Sequence, residues 1–239
     1  MPDSYRGKPR VVAGIILVLA MVVLPLLLLS AAGDAVPPSL GRILSLAILP
    51  AAAFASWLVM RAEGTGFAGL GLGRPKHWGR SLGLGLLAGI VMLLLGRIVI
   101  LPLVTAVFGS YLDPAMFDPL RGNVGALLVN VLLISWLHAA LCEEIISRGF
   151  LLQRFELLFG GGAWALGVAV VLQGVLFGLA HYPQGATGVA TTALGGILWG
   201  VIFLLVRRNL WVVVIGHAVM DTTVFVLVFL GLHRLLLPG

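Results

Sequence analysis

The chain has 239 residues, of which 60% are hydrophobic and 10% are charged, and its mean hydropathy is +1.13. This composition excludes an ordinary soluble domain and predicts a protein with several membrane spans. The net charge of +6 does not indicate nucleic-acid binding, because the basic residues are distributed among several loops and form no single patch.

Seven apolar runs, separated by glycine, proline or charged residues, predict the helices. Each run is close to the ~20 residues that the hydrocarbon core of a bilayer requires. In chain order the predicted spans are 11–32, 40–60, 81–108, 125–150, 163–181, 191–206 and 211–230. We therefore expect an all-α, polytopic transmembrane bundle in which residues 1–239 form a single integral membrane domain.

The lysine and arginine residues predict the orientation of the bundle, because they favour cytoplasmic loops near the ends of spans. With a cytoplasmic N-terminus, eleven of the fifteen basic residues fall on the cytoplasmic side. These are Arg6, Lys8, Arg10, Arg61, Arg74, Lys76, Arg80, Arg148, Arg154, Arg207 and Arg208. The small size of the chain and its lack of a targeting extension favour the inner membrane of a bacterium.

The loop between the second and third spans is rich in glycine and positive charge. Glycines at positions 69, 71 and 73 precede Arg74, Lys76 and Trp78. The loop has neither the GxGxxG spacing nor the preceding strand of a nucleotide-binding turn. It is therefore predicted to be a basic interfacial loop that a tryptophan anchors at the membrane surface.

Three polar clusters interrupt the apolar runs, each in a different predicted helix. Taken singly, such clusters are common as solvated helix faces or as interhelical hydrogen-bond partners. Because ionisable groups are costly at membrane depth, their occurrence together on three apolar helices indicates one shared functional site. The clusters are Glu143, Glu144 and Arg148 in the fourth span, Phe177 and His181 in the fifth, and His217 and Asp221 in the seventh.

The first cluster contains two carboxylates that are predicted to differ in role. Glu144 and Arg148 are four residues apart with the acid nearer the N-terminus, which is the favourable helical arrangement for an ion pair. Glu143 projects about 100° away around the same helix and is free to face a different cavity. Glu143 is therefore the candidate general base.

A carboxylate and two imidazoles around a water molecule are suited to hydrolysis. Glu143 would accept a proton as water attacks a carbonyl group, and His181 would position that water. His217 and Asp221 would face the developing oxyanion or hold a metal ion that does so. Because Cys142 is the only cysteine, the chain lacks the CxxC motif of redox and metal sites.

The three motifs, which read EExxxR, FxxxH and HxxxD, resemble those of the CPBP family of intramembrane proteases. This family is also called the CAAX protease and bacteriocin-processing or Abi family. The resemblance covers residues 125–229, and further support comes from Gly149 and Phe150 after the first motif and from 209–211 before the third. It implies a CPBP-like catalytic core in this range and an endopeptidase that cleaves peptide bonds at or within the membrane.

The resemblance also implies a role for each motif. The first glutamate and the histidine of the second motif activate water in this family, which gives these roles to Glu143 and His181. The third motif, which begins at His217, would stabilise the oxyanion. Glu144 and Arg148 would support the site.

The third motif departs from the family pattern, because Asp221 occupies the position where asparagine is usual. A neutral amide can donate a hydrogen bond to an oxyanion, whereas an ionised carboxylate would repel it. Asp221 must therefore be protonated, orient His217 or help to bind a cation. Histidine and acidic residues can bind zinc, but the spacing is not HExxH and a metal-free water is chemically sufficient. The sequence leaves the requirement for a divalent metal such as zinc open, with a preference for none.

The predicted partners are a membrane-associated peptide or protein substrate and the lipid bilayer, with no nucleic acid. Two other functional classes stay open. One is a non-catalytic bacteriocin-immunity or peptide-binding membrane protein with the same fold. The other is a proton-coupled transporter that uses Glu143 and the histidines as a relay, which the lack of an internal repeat disfavours.

Overall fold

The computed structural model describes residues 7–109 and 118–232, so Arg6 lies outside the described residues. Within these ranges the secondary structure is helical and contains no β-strand. Seven of the described helices are long and apolar enough to cross a membrane, which confirms the predicted fold class. In chain order they are α1 (Lys8–Ala32), α2 (Pro38–Ala62), α3 (Trp78–Phe108), α4 (Val124–Leu158), α5 (Gly162–Ala180), α6 (Tyr182–Leu205) and α7 (Leu210–Phe229).

The fourth span is longer than the sequence predicts. The apolar run ends near residue 150, where charged residues begin, but α4 continues to Leu158. Its last turns keep their charges because partners are present: Arg154 pairs with Glu63, and Glu156 pairs with Arg208. This extension places Glu143 near the middle of the helix.

The sixth span also begins earlier than the predicted residue 191. A short 3₁₀ turn at Tyr182–Gln184 leads directly into the α-helix Gly185–Leu205. Pro183 lies in this first turn, where its fixed backbone angle and missing N–H are tolerated. The proline and glycine therefore begin a helix at this position, although the same residues are typical of a loop. His181 is left in a tight turn between α5 and α6.

α4 is the central helix of the bundle and contacts α1, α2, α5, α6 and α7. The fully buried core lies around its second half and includes Phe150, Leu152 and Phe203. α3 packs along α7, and α5 packs along α6. Gly174 and Gly178 permit the second of these contacts, since an added Cβ at Gly178 would lie 2.5 Å from the Val189 carbonyl oxygen.

Much of α4 has π-helical hydrogen bonding. The two π-helical segments are Asn130–Glu143 and Ile145–Leu152, and they meet at Glu144. A π-helix bonds each N–H to a carbonyl five residues earlier, which widens the helix, and such segments frequently occur at functional sites. The apolar pattern gave no sign of this conformation.

Candidate active site

Glu144 is the centre of a buried hydrogen-bond network that joins α4 to α7. Arg148 Nη1 donates to Glu144 Oε1 at 2.9 Å, and His217 Nδ1 lies 2.8 Å from the same oxygen. The side chains of Glu144 and Arg148 are 0% exposed, and His217 is also buried. The predicted ion pair between Glu144 and Arg148 is therefore confirmed, and each buried charge has a partner.

Arg148 also brings the second motif to the first. Its Nη2 donates to the Gly196 carbonyl oxygen of α6 at 3.0 Å. Its guanidinium carbon lies 4.5 Å from the centre of the Phe177 ring of α5, within the range of a cation–π interaction. One arginine thus connects α4 with both α5 and α6.

Glu143 differs from its neighbour in its contacts. Its side chain is half-buried, and no hydrogen bond or ion pair joins it to another residue in the ranges 7–109 and 118–232. It interacts electrostatically with Glu144, Arg148 and His217, so it lies beside the buried network. The two adjacent carboxylates therefore differ in their hydrogen bonds, while the expectation that Glu143 faces a different cavity stays a prediction. The role of Glu143 as general base stays a prediction.

His181 caps the C-terminal end of α5. Its Nδ1 lies 2.8 Å from the Phe177 carbonyl oxygen, which can only accept, so Nδ1 carries the hydrogen and Nε2 is the acceptor of the neutral ring. Burial lowers the pKa of His181 from its usual 6.5, and the hydrogen bond to Phe177 opposes part of that effect. The neutral imidazole is therefore favoured near neutral pH.

His217 is held on both sides. Its Nδ1 faces Glu144, and its Nε2 lies 3.6 Å from Asp221 Oδ2. The Trp199 ring stacks on the imidazole with a centroid separation of 5.8 Å and an interplanar angle of 23°. Because Nδ1 donates to the Glu144 carboxylate, Nε2 carries a hydrogen only when the ring is cationic.

All six residues that the sequence singled out lie in one cluster. Glu143 and His181 make no direct hydrogen bond, but both interact electrostatically with Arg148, His217 and Asp221. The cluster is possible because α5 ends at Ala180, within reach of the middle of α4 and α7. We call these six residues the active-site cluster: Glu143, Glu144, Arg148, His181, His217 and Asp221.

Three further residues support the cluster and were not singled out from the sequence. Gln173 is buried, and its Nε2 donates at 2.9 Å to the same Gly196 carbonyl that Arg148 contacts. Gly196 allows the close approach of Phe177, since an added Cβ would lie 3.1 Å from that ring. Trp199 packs on His217. The only sequence signal was Gln173 itself, an amide within an apolar run.

The side chains do not fit a zinc site in this arrangement. Among the described residues no group of three or more His, Cys, Asp and Glu side chains could hold a metal ion. Within the cluster, Nδ1 of His217 and Nδ1 of His181 have Glu144 and the Phe177 carbonyl as partners, so each ring offers only its Nε2 to a ligand. A structural or catalytic zinc needs three or four converging protein ligands, so we derive no step through a metal.

The part of the chain that contains the cluster is similar to a known family. Residues 125–223 match the family model described as Type II CAAX prenyl endopeptidase Rce1-like. All three motifs fall within that range. The match covers 99 of the 239 residues of the chain.

This match confirms the resemblance to the CAAX protease family that the three motifs indicated. The seven apolar helices indicate an integral membrane protein, and the part of it at residues 125–223 is similar to a protease family. No curated protein and no solved structure matches the chain.

Proposed function

We propose that the chain is an intramembrane endopeptidase that hydrolyses peptide bonds of membrane-associated peptides or proteins. The similarity of residues 125–223 to a protease family supports this proposal. The observation that carries it is the contrast between two adjacent carboxylates. Glu144 Oε1 contacts both Arg148 and His217, whereas Glu143 is half-buried and has no hydrogen-bond partner in the described ranges. A general base needs such an unengaged carboxylate.

In the proposed reaction, Glu143 accepts a proton from a water molecule while the water oxygen attacks the carbonyl carbon of the substrate. The lone pair on His181 Nε2 accepts a hydrogen bond from the second O–H of that water and holds the water in place. The carbonyl oxygen becomes an oxyanion in the tetrahedral intermediate. Glu143 then gives its proton to the amide nitrogen, the C–N bond breaks, and an amine and a carboxylic acid are released.

His217 stabilises the oxyanion in this scheme. When its ring is cationic, Nε2–H can donate to the developing charge, and Glu144 with Arg148 fixes the ring through Nδ1. Of the three roles that the sequence left open for Asp221, the distance of 3.6 Å from Nε2 best supports orienting His217 and compensating its positive charge.

We further propose that hydrolysis requires no metal ion. The poor fit of the cluster to a zinc site supports this. Purified protein treated with 1,10-phenanthroline is expected to retain its cleavage rate, and metal analysis is expected to find less than one zinc per chain. Stoichiometric zinc whose removal abolishes cleavage would overturn the proposal.

The function is tested by Glu143→Gln, which keeps the shape of the side chain but cannot accept a proton. Loss of a positioned general base lowers the rate by about 10² to 10⁴-fold, so the cleavage products should vanish. Peptide termini in native membranes are compared by mass spectrometry between the wild type and the variant. Asp118→Asn is the control, because Asp118 lies outside the cluster and is 57% exposed.

The same variant separates the alternatives. An immunity or peptide-binding protein would keep its protective effect in Glu143→Gln, and no peptide termini would change. Substrate uptake that depends on a pH gradient would support the transporter instead. Either result, obtained with a variant that folds normally, would contradict the proposed hydrolysis.

We also propose a bacterial inner membrane and a cytoplasmic N-terminus, as the distribution of basic residues predicts. Cys142 is buried, so it gives a low background for labelling introduced cysteines. A cysteine at exposed position 10 should react with a membrane-impermeant maleimide only after the cells are broken. Labelling in intact cells would reverse the orientation.

A further inference from the structure

A cleft of about 830 Å³ lies between the loop that precedes α3 and the turn that joins α6 to α7. None of the residues of the active-site cluster lines it. Its wall is strongly basic, because the fold brings the basic residues of two separate loops together, so the expectation that they form no single patch is wrong at this place. We call it the basic cleft. Its basic residues are Arg74, Lys76, His77, Arg80, Arg207 and Arg208.

The positive charge of the basic cleft is not balanced by the carboxylates of the described residues. At this end of the bundle the described carboxylates are already engaged, as Glu63 Oε2 lies 2.7 Å from Arg154 and Glu156 Oε2 lies 2.7 Å from Arg208. Four other cations of the cleft form no ion pair with any residue of the ranges 7–109 and 118–232. They are Arg74, Lys76, Arg80 and Arg207.

The two walls of the cleft are fastened to each other. The Leu210 N–H donates to the Gly71 carbonyl oxygen at 3.0 Å, and Asn209 Nδ2 donates to Ser81 Oγ at 2.9 Å. Gly71 has φ +84, and an added Cβ would lie 2.4 Å from the Arg208 carbonyl oxygen, so only glycine fits there. The cleft is therefore formed before any ligand binds.

One wall contains strained backbone. Arg207 and Arg208 have φ angles of 57° and 59°, a left-handed conformation that is uncommon for residues other than glycine. The Arg208 N–H donates to the Phe203 carbonyl oxygen at 2.8 Å, and its side chain pairs with Glu156, which holds the turn in place. Strained residues of this kind concentrate at functional sites such as ligand clamps.

The surroundings of the cleft suit a ligand that is part of the membrane. Leu84, Leu205 and Val212 provide its apolar lining, and Leu205 is 76% exposed. Trp78 and Trp211 begin α3 and α7, and their rings lie 5.3 Å apart. Tryptophan at the ends of spans lies at headgroup level, so the cationic wall and the apolar surface meet where headgroups and acyl chains meet.

We propose that the basic cleft binds the phosphodiester headgroup of an anionic phospholipid. Arginine forms paired hydrogen bonds with phosphate oxygens, and basic pockets between transmembrane helices on the cytoplasmic side are suited to anionic headgroups. The preformed shape, the four cations without an ion pair in the described part of the chain and the adjoining apolar surface together supply what this ligand needs.

The test uses the full-length chain in mixed micelles that contain either phosphatidylglycerol or phosphatidylcholine. Thermal unfolding is measured against lipid concentration, because a ligand that binds only the folded state raises the midpoint temperature. Phosphatidylglycerol should stabilise the wild type, whereas phosphatidylcholine should not. Arg74→Gln combined with Arg207→Gln should raise the phosphatidylglycerol concentration needed for half-maximal stabilisation by roughly fivefold for each charge removed.

Arg10→Gln is the control, since it removes an exposed charge in the first turn of α1 that lies outside the cleft. Its lipid response should equal that of the wild type. A loss equal to that of the double variant would mean that net charge alone attracts the lipid, which overturns the proposal. Equal stabilisation by soluble glycerol 3-phosphate would identify the ligand as a free phosphate compound and overturn the assignment to a lipid.

Discussion

The active-site cluster and the basic cleft handle positive charge in opposite ways. Arg148 in the cluster is 0% exposed and is compensated by Glu144, while Arg74 and Arg207 in the cleft are exposed and have no carboxylate partner in the described ranges. Within a bundle of apolar helices a cation has no solvent, so a neighbouring side chain must compensate it. At the end of the bundle, water and lipid headgroups can do so.

The contrast is tested most strongly by removing a cation from each region. Arg148→Leu leaves Glu144 buried with one partner fewer, and breaking a buried ion pair costs about 3–5 kcal/mol. Arg207→Gln removes a charge that has no ion-pair partner among the described residues and should change the free energy of unfolding by less than about 0.5 kcal/mol. Denaturation by SDS in mixed micelles measures both. Equal effects from the two variants would show that burial of the pair does not decide stability.

Asp221→Asn tests whether Asp221 supports His217 or takes part in the reaction directly. The amide restores the residue usual in the family and can still contact His217, so kcat/KM should fall by less than about tenfold, or 1.4 kcal/mol. His217→Ala removes the proposed oxyanion donor and should lower kcat/KM by about a hundredfold or more. Cleavage rates of folded variants measure the difference. A larger loss in Asp221→Asn would assign Asp221 a direct part in the reaction.

The smallest expected effect concerns His181, at the edge of the cluster. Burial holds its pKa below 6.5, so the folded state takes up fewer protons than the unfolded chain as pH falls. The free energy of unfolding should therefore be highest above pH 6.5. It should decrease as the pH falls from 6.5 through the lower pKa of the folded state. The groups that act on His181 are His217, Asp221 and Arg148.

His181→Gln keeps a donor for the Phe177 carbonyl and removes the titration. Its unfolding midpoint should decrease less than that of the wild type between pH 7.5 and pH 5, as differential scanning fluorimetry can measure. Identical decreases in the two proteins would show that His181 does not titrate in this range.

The sequence predicted what depends on composition and on spacing within one helix. All seven spans were expected, because the thickness of the bilayer sets the length of the apolar run that each helix needs. The pair of Glu144 and Arg148 was expected, because four residues make one turn.

Contacts between helices could not be predicted from composition and spacing. The bond between Glu144 and His217 and the carbonyl of Gly196 that Gln173 shares with Arg148 depend on how three helices pack. The π-helical hydrogen bonding of α4 also depends on that packing, since the apolar pattern is the same for either helix type. The motifs therefore identified the residues of the cluster, whereas their hydrogen-bond partners are seen only in the structure.

The turn that joins α5 to α6 has a practical consequence for experiments on this chain. Tyr182–Gln184 connects two long helices directly, and His181 precedes it. An epitope tag or reporter inserted there would separate the two helices and displace His181 from the cluster. Fusions that map the topology should be placed before α1. Loss of activity after an insertion at 182–184 would show damage to the cluster and would give no information on which side of the membrane the turn lies.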